Sequence, residues 1–174
     1  AMGNPIIHRG PDQAGAFLGG AVGLGSRRLS IIDLAGGRMP IGNEDGTIQV
    51  VFNGEIYNYP ALREQLISRG HRFETHTDTE TLVHLYEDRG ADMVRLLNGM
   101  FAFALWDGRR ERLLLARDHL GIKPLYYAET ADGIVFGSEI KSLLAAGVDR
   151  AIDPQALHDY LSLNYVPGPR SIFS

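Results

Sequence analysis

Three short stretches carry residue types suited to holding and transforming a small polar molecule: Arg28, Asn53-Gly54-Glu55, and Asp78 just before a helical pattern. An arginine on a strand grips a carboxylate through a bidentate fork. Asp78 supplies a counter-charge for an ammonium group. Together the two suit the charged ends of a free α-amino acid, although spacing alone does not show that they converge. Asp78 reads equally as a favourable charge at a helix start. Asn53-Gly54 reads first as a turn closing a strand, since both residues tolerate positive φ. The same geometry supports a second reading. The Gly54 N–H and the Asn53 side-chain amide point at one spot, where an oxyanion develops during acyl transfer, and glycine lets a reacting carbonyl approach closely.

Two further polar stretches have both structural and functional readings. His8-Arg9-Gly10-Pro11-Asp12 is a turn-rich surface loop tied by Asp12, and Arg117 to Pro124 reads as an internal salt-bridged turn after an apolar strand. The histidines at 8, 71, 76, 84, 119 and 158 are scattered without metal-ligand spacing, so no metal is expected. Gly23-Leu24-Gly25 lacks the third glycine of a dinucleotide fingerprint. No Walker loop is present, and Ser138 lacks a serine-hydrolase elbow.

The elements that must position these residues are short. Val22 to Gly25 leads into a strand region through Arg28 to Ile32, and Ile48 to Phe52 forms another that ends at Asn53-Gly54. Pro60 to Arg69 reads as a helix capped by Asn58 and stopped by Gly70. His71 to Thr75 is a short strand candidate. Thr79 to Arg89 is a second helix, with capping-box spacing between Thr77 and Glu80 and a stop at Gly90. Phe101 to Trp106 and Arg112 to Arg117 form a hairpin across Asp107-Gly108, and Leu125 to Ala128 pairs with Ile134 to Phe136 across Asp132-Gly133. Ser138 to Ala146 is a short helix. Asp153-Pro154 opens a last one, with Leu157, Tyr160 and Leu161 on one side. Many antiparallel strands without regular strand–helix alternation give an α+β class rather than a doubly wound parallel sheet.

The composition excludes several classes. The 174 residues carry a net charge of −4 with 44% hydrophobic residues and no basic tract, so no nucleic acid is expected. No apolar run approaches a membrane span and no signal peptide opens the chain, which fits a cytoplasmic domain. With no cysteine there is no disulfide frame, no cysteine–metal cluster and no thiol nucleophile.

Taken in order, His8 to Asp12, Arg28 to Asp33, Val51 to Tyr59, Thr77 to Glu80, Leu97 to Asp107, Leu115 to Tyr127, Ser138 to Lys141 and Tyr165 to Arg170 resemble the glutaminase domain of glutamine-hydrolysing asparagine synthetases. These are a branch of the class II glutamine amidotransferases. Gly99 to Asp107 favours that branch, and the likeness spans residues 2–174 as one partial amidotransferase domain. It implies an N-terminal-nucleophile hydrolase fold, a four-layer αββα sandwich of two antiparallel sheets. It also implies site roles. Arg28 binds the α-carboxylate of L-glutamine, with backbone groups of Leu29, Ser30, Ile31 and Ile32. Asp78 binds the α-ammonium with Glu55 nearby, and Asn53 and Gly54 form the oxyanion hole. In the family an amino-terminal cysteine attacks the glutamine amide, with its own α-amine as base.

Set against that family, the chain is expected to lack the first strand and helix, the nucleophilic cysteine, and the synthetase domain that would follow in cis. ATP and magnesium are therefore not expected in this segment. It is expected to bind glutamine weakly or not at all and not to hydrolyse it. The uncovered edge suggests a homodimer or an added contact. Ser26, where many relatives carry histidine, is expected to matter little. The parent protein would hydrolyse glutamine to glutamate and ammonia for the ATP-dependent amidation of aspartate to asparagine. Two alternatives stand beside this: a cysteine-free glutamine-sensing domain, and an amidotransferase with a non-aspartate acceptor.

Overall fold

Apolar residues alternate along Ile48–Ile56 (β4) and Gly99–Asp107 (β5), the two central strands, which pair antiparallel over their full lengths. Alternation gives the pair two faces. Val50, Phe52, Phe101, Phe103 and Leu105 point one way, and Val51, Ala102 and Ala104 the other. The computed structural model describes residues 2–28 and 37–173. Ile41–Gly42 (β3) and Arg112–Arg117 (β6) complete a four-stranded sheet in the order β3-β4-β5-β6.

The large-residue face of this sheet is covered by Tyr59–Ser68 (α1) and Asp78–Arg89 (α2). Leu62 and Leu66 of α1, and Leu82, Val83, Leu85 and Tyr86 of α2, are buried there. Each such side chain contributes roughly 1.5–3 kcal/mol on burial. Every residue of α2 from Thr79 to Tyr86 is buried, so the helix enters the interior at its first turn.

The small-residue face receives two hairpins. One pairs Gln13–Gly19 (β1) with Val22–Arg28 (β2), and the other pairs Tyr126–Thr130 (β7) with Gly133–Gly137 (β8). Leu24 of β2 and Phe136 of β8 meet Val51 and Ala104 in a second, smaller core. Alanines on β5 let the hairpins approach. Ile140–Ala145 (α3) packs outside β7 and β8, against the 3-10 segment Asn4–Arg9. The layering is helix, sheet, sheet, helix, as expected, but among the described residues the second layer is two separate hairpins rather than one sheet. Pro154–Leu163 (α4) is capped by Asp153 as expected, yet its Leu157, Tyr160 and Leu161 stay exposed. Tyr127 and Ile134 are exposed as well. No helix among the described residues is long and apolar enough to cross a membrane.

Four local expectations are corrected. Asn53-Gly54 is no turn: β4 runs through it to Ile56. His71 to Thr75 is not a strand, because the Glu80 carboxylate takes the N–H groups of Glu74 and Thr75, both at 2.7 Å, in place of a sheet partner. That engagement also replaces the capping box, and Thr77 makes no side-chain cap. Asn58 does not cap α1. Its amide donates to the Leu96 carbonyl and its side-chain oxygen accepts the Asn98 N–H, each at 2.9 Å.

Candidate functional site

The candidate site lies along the outer edge of β4. One edge of that strand is filled by β5, while β3 covers the other only at Gln49 and Val50. Backbone donors beyond that point need other partners. The Phe52 N–H donates to Met39 Sδ at 3.3 Å, and the Ile56 N–H donates to Asp78 Oδ2 at 2.9 Å. Gly54 lies between them. Its cross-strand neighbour Phe101 turns its own N–H and carbonyl toward Asp118, donating to Oδ2 and accepting the Asp118 N–H. Antiparallel alternation then puts the Gly54 N–H on the same outer edge as those of Phe52 and Ile56. It faces the space between a sulfur and a carboxylate.

The missing side chain at Gly54 is required by the sheet. A Cβ there would lie 2.1 Å from the Met100 carbonyl oxygen, and φ is +154°. A Cβ at Gly99 would meet the Glu55 carbonyl at 2.2 Å. The two glycines let β4 and β5 close tightly at this end. The carbonyl that occupies the space of a Cβ at Gly54 belongs to Met100 of β5.

Asn53 and Glu55 share a face of β4 with Val51, by the two-residue repeat. The Asn53 Nδ2 is buried and has no hydrogen-bond partner among the described residues. Such a group costs about 1–3 kcal/mol unless something occupies it. Glu55 and Asp78 form a carboxyl pair. Burial pushes Asp78 above its ordinary value, against the opposing N–H donations of Ile56 and Thr79. Burial and then the Asp78 charge push Glu55 up, with Lys123 pulling it down. Two carboxyls held above their usual range are poised to accept a cation.

Arg28 ends β2 and is fixed by close backbone contacts. Gly10 lies so near the Arg28 backbone that a Cβ would be 2.3 Å from its nitrogen. Gly37 lies against the guanidinium, with a Cβ position 2.3 Å from Nη2. Two residues on, Met39 accepts from the Ser26 hydroxyl at 3.1 Å and caps Phe52 through its sulfur. The segment 37–39 therefore ties the end of β2 to the edge of β4. Ser26, expected to matter little, is one of the ties. Leu29, Ser30, Ile31 and Ile32 lie outside the described residues.

The structure thus brings Asn53, Gly54, Glu55 and Asp78 together at one end of β4. Arg28 is linked to that edge only through the segment that carries Gly37 and Met39. Two neutral donors and two carboxyls around one edge can hold a ligand that carries both a cationic group and a polarisable carbonyl.

Comparison with known proteins decides the family. Residues 1–174 match the glutamine amidotransferase domain family over the whole chain. The chain belongs to that family. The amidotransferase domain is 47% identical to asparagine synthetase [glutamine-hydrolyzing] 1 of Bacillus subtilis over 98% of its own length and 27% of the relative's. It is 48% identical to asparagine synthetase [glutamine-hydrolyzing] 3 of Arabidopsis thaliana over 79% of the chain and 24% of that relative. It thus spans about a quarter of the relatives it matches. The fold resembles that of glutamine phosphoribosylpyrophosphate amidotransferase from B. subtilis, with TM-score 0.59 and 26% identity, covering 72% of the domain and 29% of that chain. An allosteric regulatory enzyme of purine biosynthesis matches with TM-score 0.60 and 25% identity over the same shares. The domain is therefore α+β, and its fold is that of the N-terminal-nucleophile amidotransferases.

Sequence reasoning missed Met39, Gly37 and Lys123. Lys123 sits in the polar stretch after β6, where Asp118 accepts N–H bonds from Phe101, Leu120, Ile122 and Lys123. The stretch is an internal turn, but among the described residues it is tied by backbone N–H bonds to Asp118 and by Arg117 donating to the Gly121 and Lys123 carbonyls rather than by a salt bridge. Met39 carried no signal, because its role is to cap a strand edge distant in sequence. His8 and Arg9 both contact Glu139, which ties their loop to α3.

Proposed function

We propose that this amidotransferase domain recognises L-glutamine along the edge of β4 and belongs to an asparagine synthetase-like protein. Arg28 takes the α-carboxylate. Asp78, with Glu55, takes the α-ammonium. The side-chain carbonyl of glutamine lies at the Asn53 Nδ2 and the Gly54 N–H, where charge would develop on attack. The supporting observation is the buried Asn53 Nδ2, without a partner among the described residues, beside an outward-facing Gly54 N–H, one strand position from a carboxyl pair.

In this reading the full reaction cleaves glutamine with water to glutamate and ammonia, and the ammonia amidates aspartate at the expense of ATP. The 174 residues contain no cysteine, so they supply recognition and oxyanion donors but no thiolate. A glutamine-sensing domain shares the recognition and differs in having no chemistry to follow. A glutaminase assay on the pure chain, combined with a glutamine titration, tests the proposal. The Asn53 Nδ2 without a partner among the described residues and the neighbouring carboxyl pair narrow the sequence expectation of weak binding or none to weak, saturable binding without ammonia release. Substantial turnover, or no binding at all, overturns it.

A further inference from the structure

Away from this edge, on the far half of α2, four side chains from three segments converge. Glu44 comes from the β3–β4 turn, His71 from the α1–α2 connection, and His84 and Glu87 from α2 itself. One ligand atom each from Glu44, His71 and His84 lies within 4.8 Å of the others. His84 Nδ1 is 3.0 Å from Glu87 Oε2 and 3.9 Å from Glu44 Oε2, and His71 Nδ1 is 3.4 Å from the same Glu87 oxygen. Four N and O ligands placed tetrahedrally at about 2.05 Å from a cation are separated by about 3.3 Å. The observed separations bracket that edge length.

The outer groups are arranged to match. Ligating histidines typically present their second ring nitrogen to a carboxylate, which fixes the ring. His71 Nε2 lies 3.1 Å from Asp88 Oδ1, and the other Asp88 oxygen accepts from Arg69 at 2.8 Å. His84 Nε2 faces Glu80 Oε1 at 3.8 Å, beyond hydrogen-bond reach, and is buried without a partner among the described residues. Each inner carboxylate is held by its remaining oxygen. Glu44 Oε1 accepts the Arg72 N–H at 3.3 Å, and Glu87 Oε1 accepts from Asn43 Nδ2 at 2.8 Å. Both Nδ1 atoms thereby face Glu87 Oε2, with Glu44 Oε2 beside His84 Nδ1, and the point among these atoms is where a cation would sit. His84 is 1% exposed while Glu44 is exposed, so the point is walled on one side and open to solvent on the other.

We propose that Glu44, His71, His84 and Glu87 form a binding site for one divalent transition cation of the zinc class. Imidazole and carboxylate donors in this ratio suit zinc and its neighbours rather than magnesium, which prefers oxygen alone. The bound cation clamps α2 to the β3–β4 turn and to the α1–α2 connection. It sits nearly two helical turns from Asp78, so its role is to brace the helix that carries the amino-acid site. No spacing rule shows it in sequence, because the four ligands come from three separated segments.

The test is calorimetric titration of chelator-stripped protein with zinc chloride and, separately, magnesium chloride at neutral pH, with melting temperature as a second readout. One zinc per chain, with proton release and a raised melting temperature, is expected, and no response to magnesium. His71→Ala and Glu44→Gln should each weaken zinc binding by about tenfold or more, as losses at metal sites do. Glu44 is solvent-exposed, so Glu44→Gln remains informative if His71→Ala fails to fold. Absence of stoichiometric zinc binding overturns the proposal. So does binding of unchanged strength in Glu44→Gln, which would place the zinc on other histidines. An imidazolium clamp without metal predicts the first of these results, no stoichiometric zinc binding, with stability unaffected by chelator.

Discussion

The Asp78 carboxylate accepts the backbone N–H of Ile56 at 2.9 Å, joining the first residue of α2 to the last residue of β4. The same bond sets a half-buried acid beside the Gly54 N–H and the Glu55 side chain. Stability and recognition make opposite demands on it. Burial raises the Asp78 pKa. The folded state then binds more protons than the unfolded one between the ordinary carboxyl value and the raised value, and stability falls as pH rises through that window. An ammonium ligand favours the ionised form, so glutamine affinity should rise across the same window. Asp78→Asn keeps an oxygen to accept the Ile56 N–H. It should leave the melting temperature at neutral pH unchanged or higher while abolishing glutamine binding, both readable in one thermal-shift series. A large fall in melting temperature would make Asp78 structural.

Arg28 separates recognition from stability in another way. Its guanidinium lies against Gly37 at the end of β2. Arg28→Gln should remove glutamine binding with little change in melting temperature, measured by titration and thermal melts on the same sample. A comparable loss of both would show that the arginine holds the fold.

Asn53→Ala addresses the reaction. In a form of the domain extended by the cysteine-bearing opening strand that the family resemblance implies, loss of one oxyanion donor should slow ammonia release by about a hundredfold or more. KM should change little, because the donor acts on charge that develops after binding. Since Nδ2 is buried without a partner among the described residues, the variant should also be no less stable than the parent. A near-normal rate would remove Asn53 from the mechanism.

Gly54→Ala tests the backbone. An added methyl meets the Met100 carbonyl at 2.1 Å with φ at +154°. The cost should be at least about 2 kcal/mol in urea denaturation, from overpacking and backbone strain together.

Asp118 carries the acid sensitivity of the β6–β7 loop. Burial opposes its ionisation, but the N–H donations of Ile122, Lys123, Phe101 and Leu120 outweigh this and hold its pKa at about 2. A depressed carboxyl stabilises the fold above its unfolded value, and that contribution is lost as pH falls toward about 2. Asp118→Asn should lower stability at neutral pH and flatten the decline between pH 4 and pH 2, as followed by acid titration of circular dichroism. An unaltered acid profile would contradict the assignment.

Much of the fold was legible because its signals are local. The apolar alternation of β4 and β5, the Asp107-Gly108 turn and the Asp153-Pro154 helix start all act over a few residues. What local reading missed was settled by partners outside the segment being read, one across the sheet and one a few residues on. Asn53-Gly54 has the composition of a turn, yet Gly99 and Met100 across the sheet need a bare Cα there, so the strand continues. His71 to Thr75 has strand-like residues, yet Glu80 takes the N–H groups a neighbouring strand would have used. The candidate site followed the same division. Asn53, Gly54, Glu55 and Asp78 were readable as residue types, and the family likeness assigned their roles. Met39 and Gly37, which join β2 to the edge of β4, had no signature of their own.

The most direct measurement is a two-dimensional amide NMR titration of the 174-residue chain with L-glutamine, with ammonia assayed in the same tube. The account expects saturable shifts at the Asn53 side-chain amide, the Gly54 N–H and the Ile56 N–H, and no ammonia above the blank. Unperturbed resonances at those three groups, or sustained ammonia release, would contradict it.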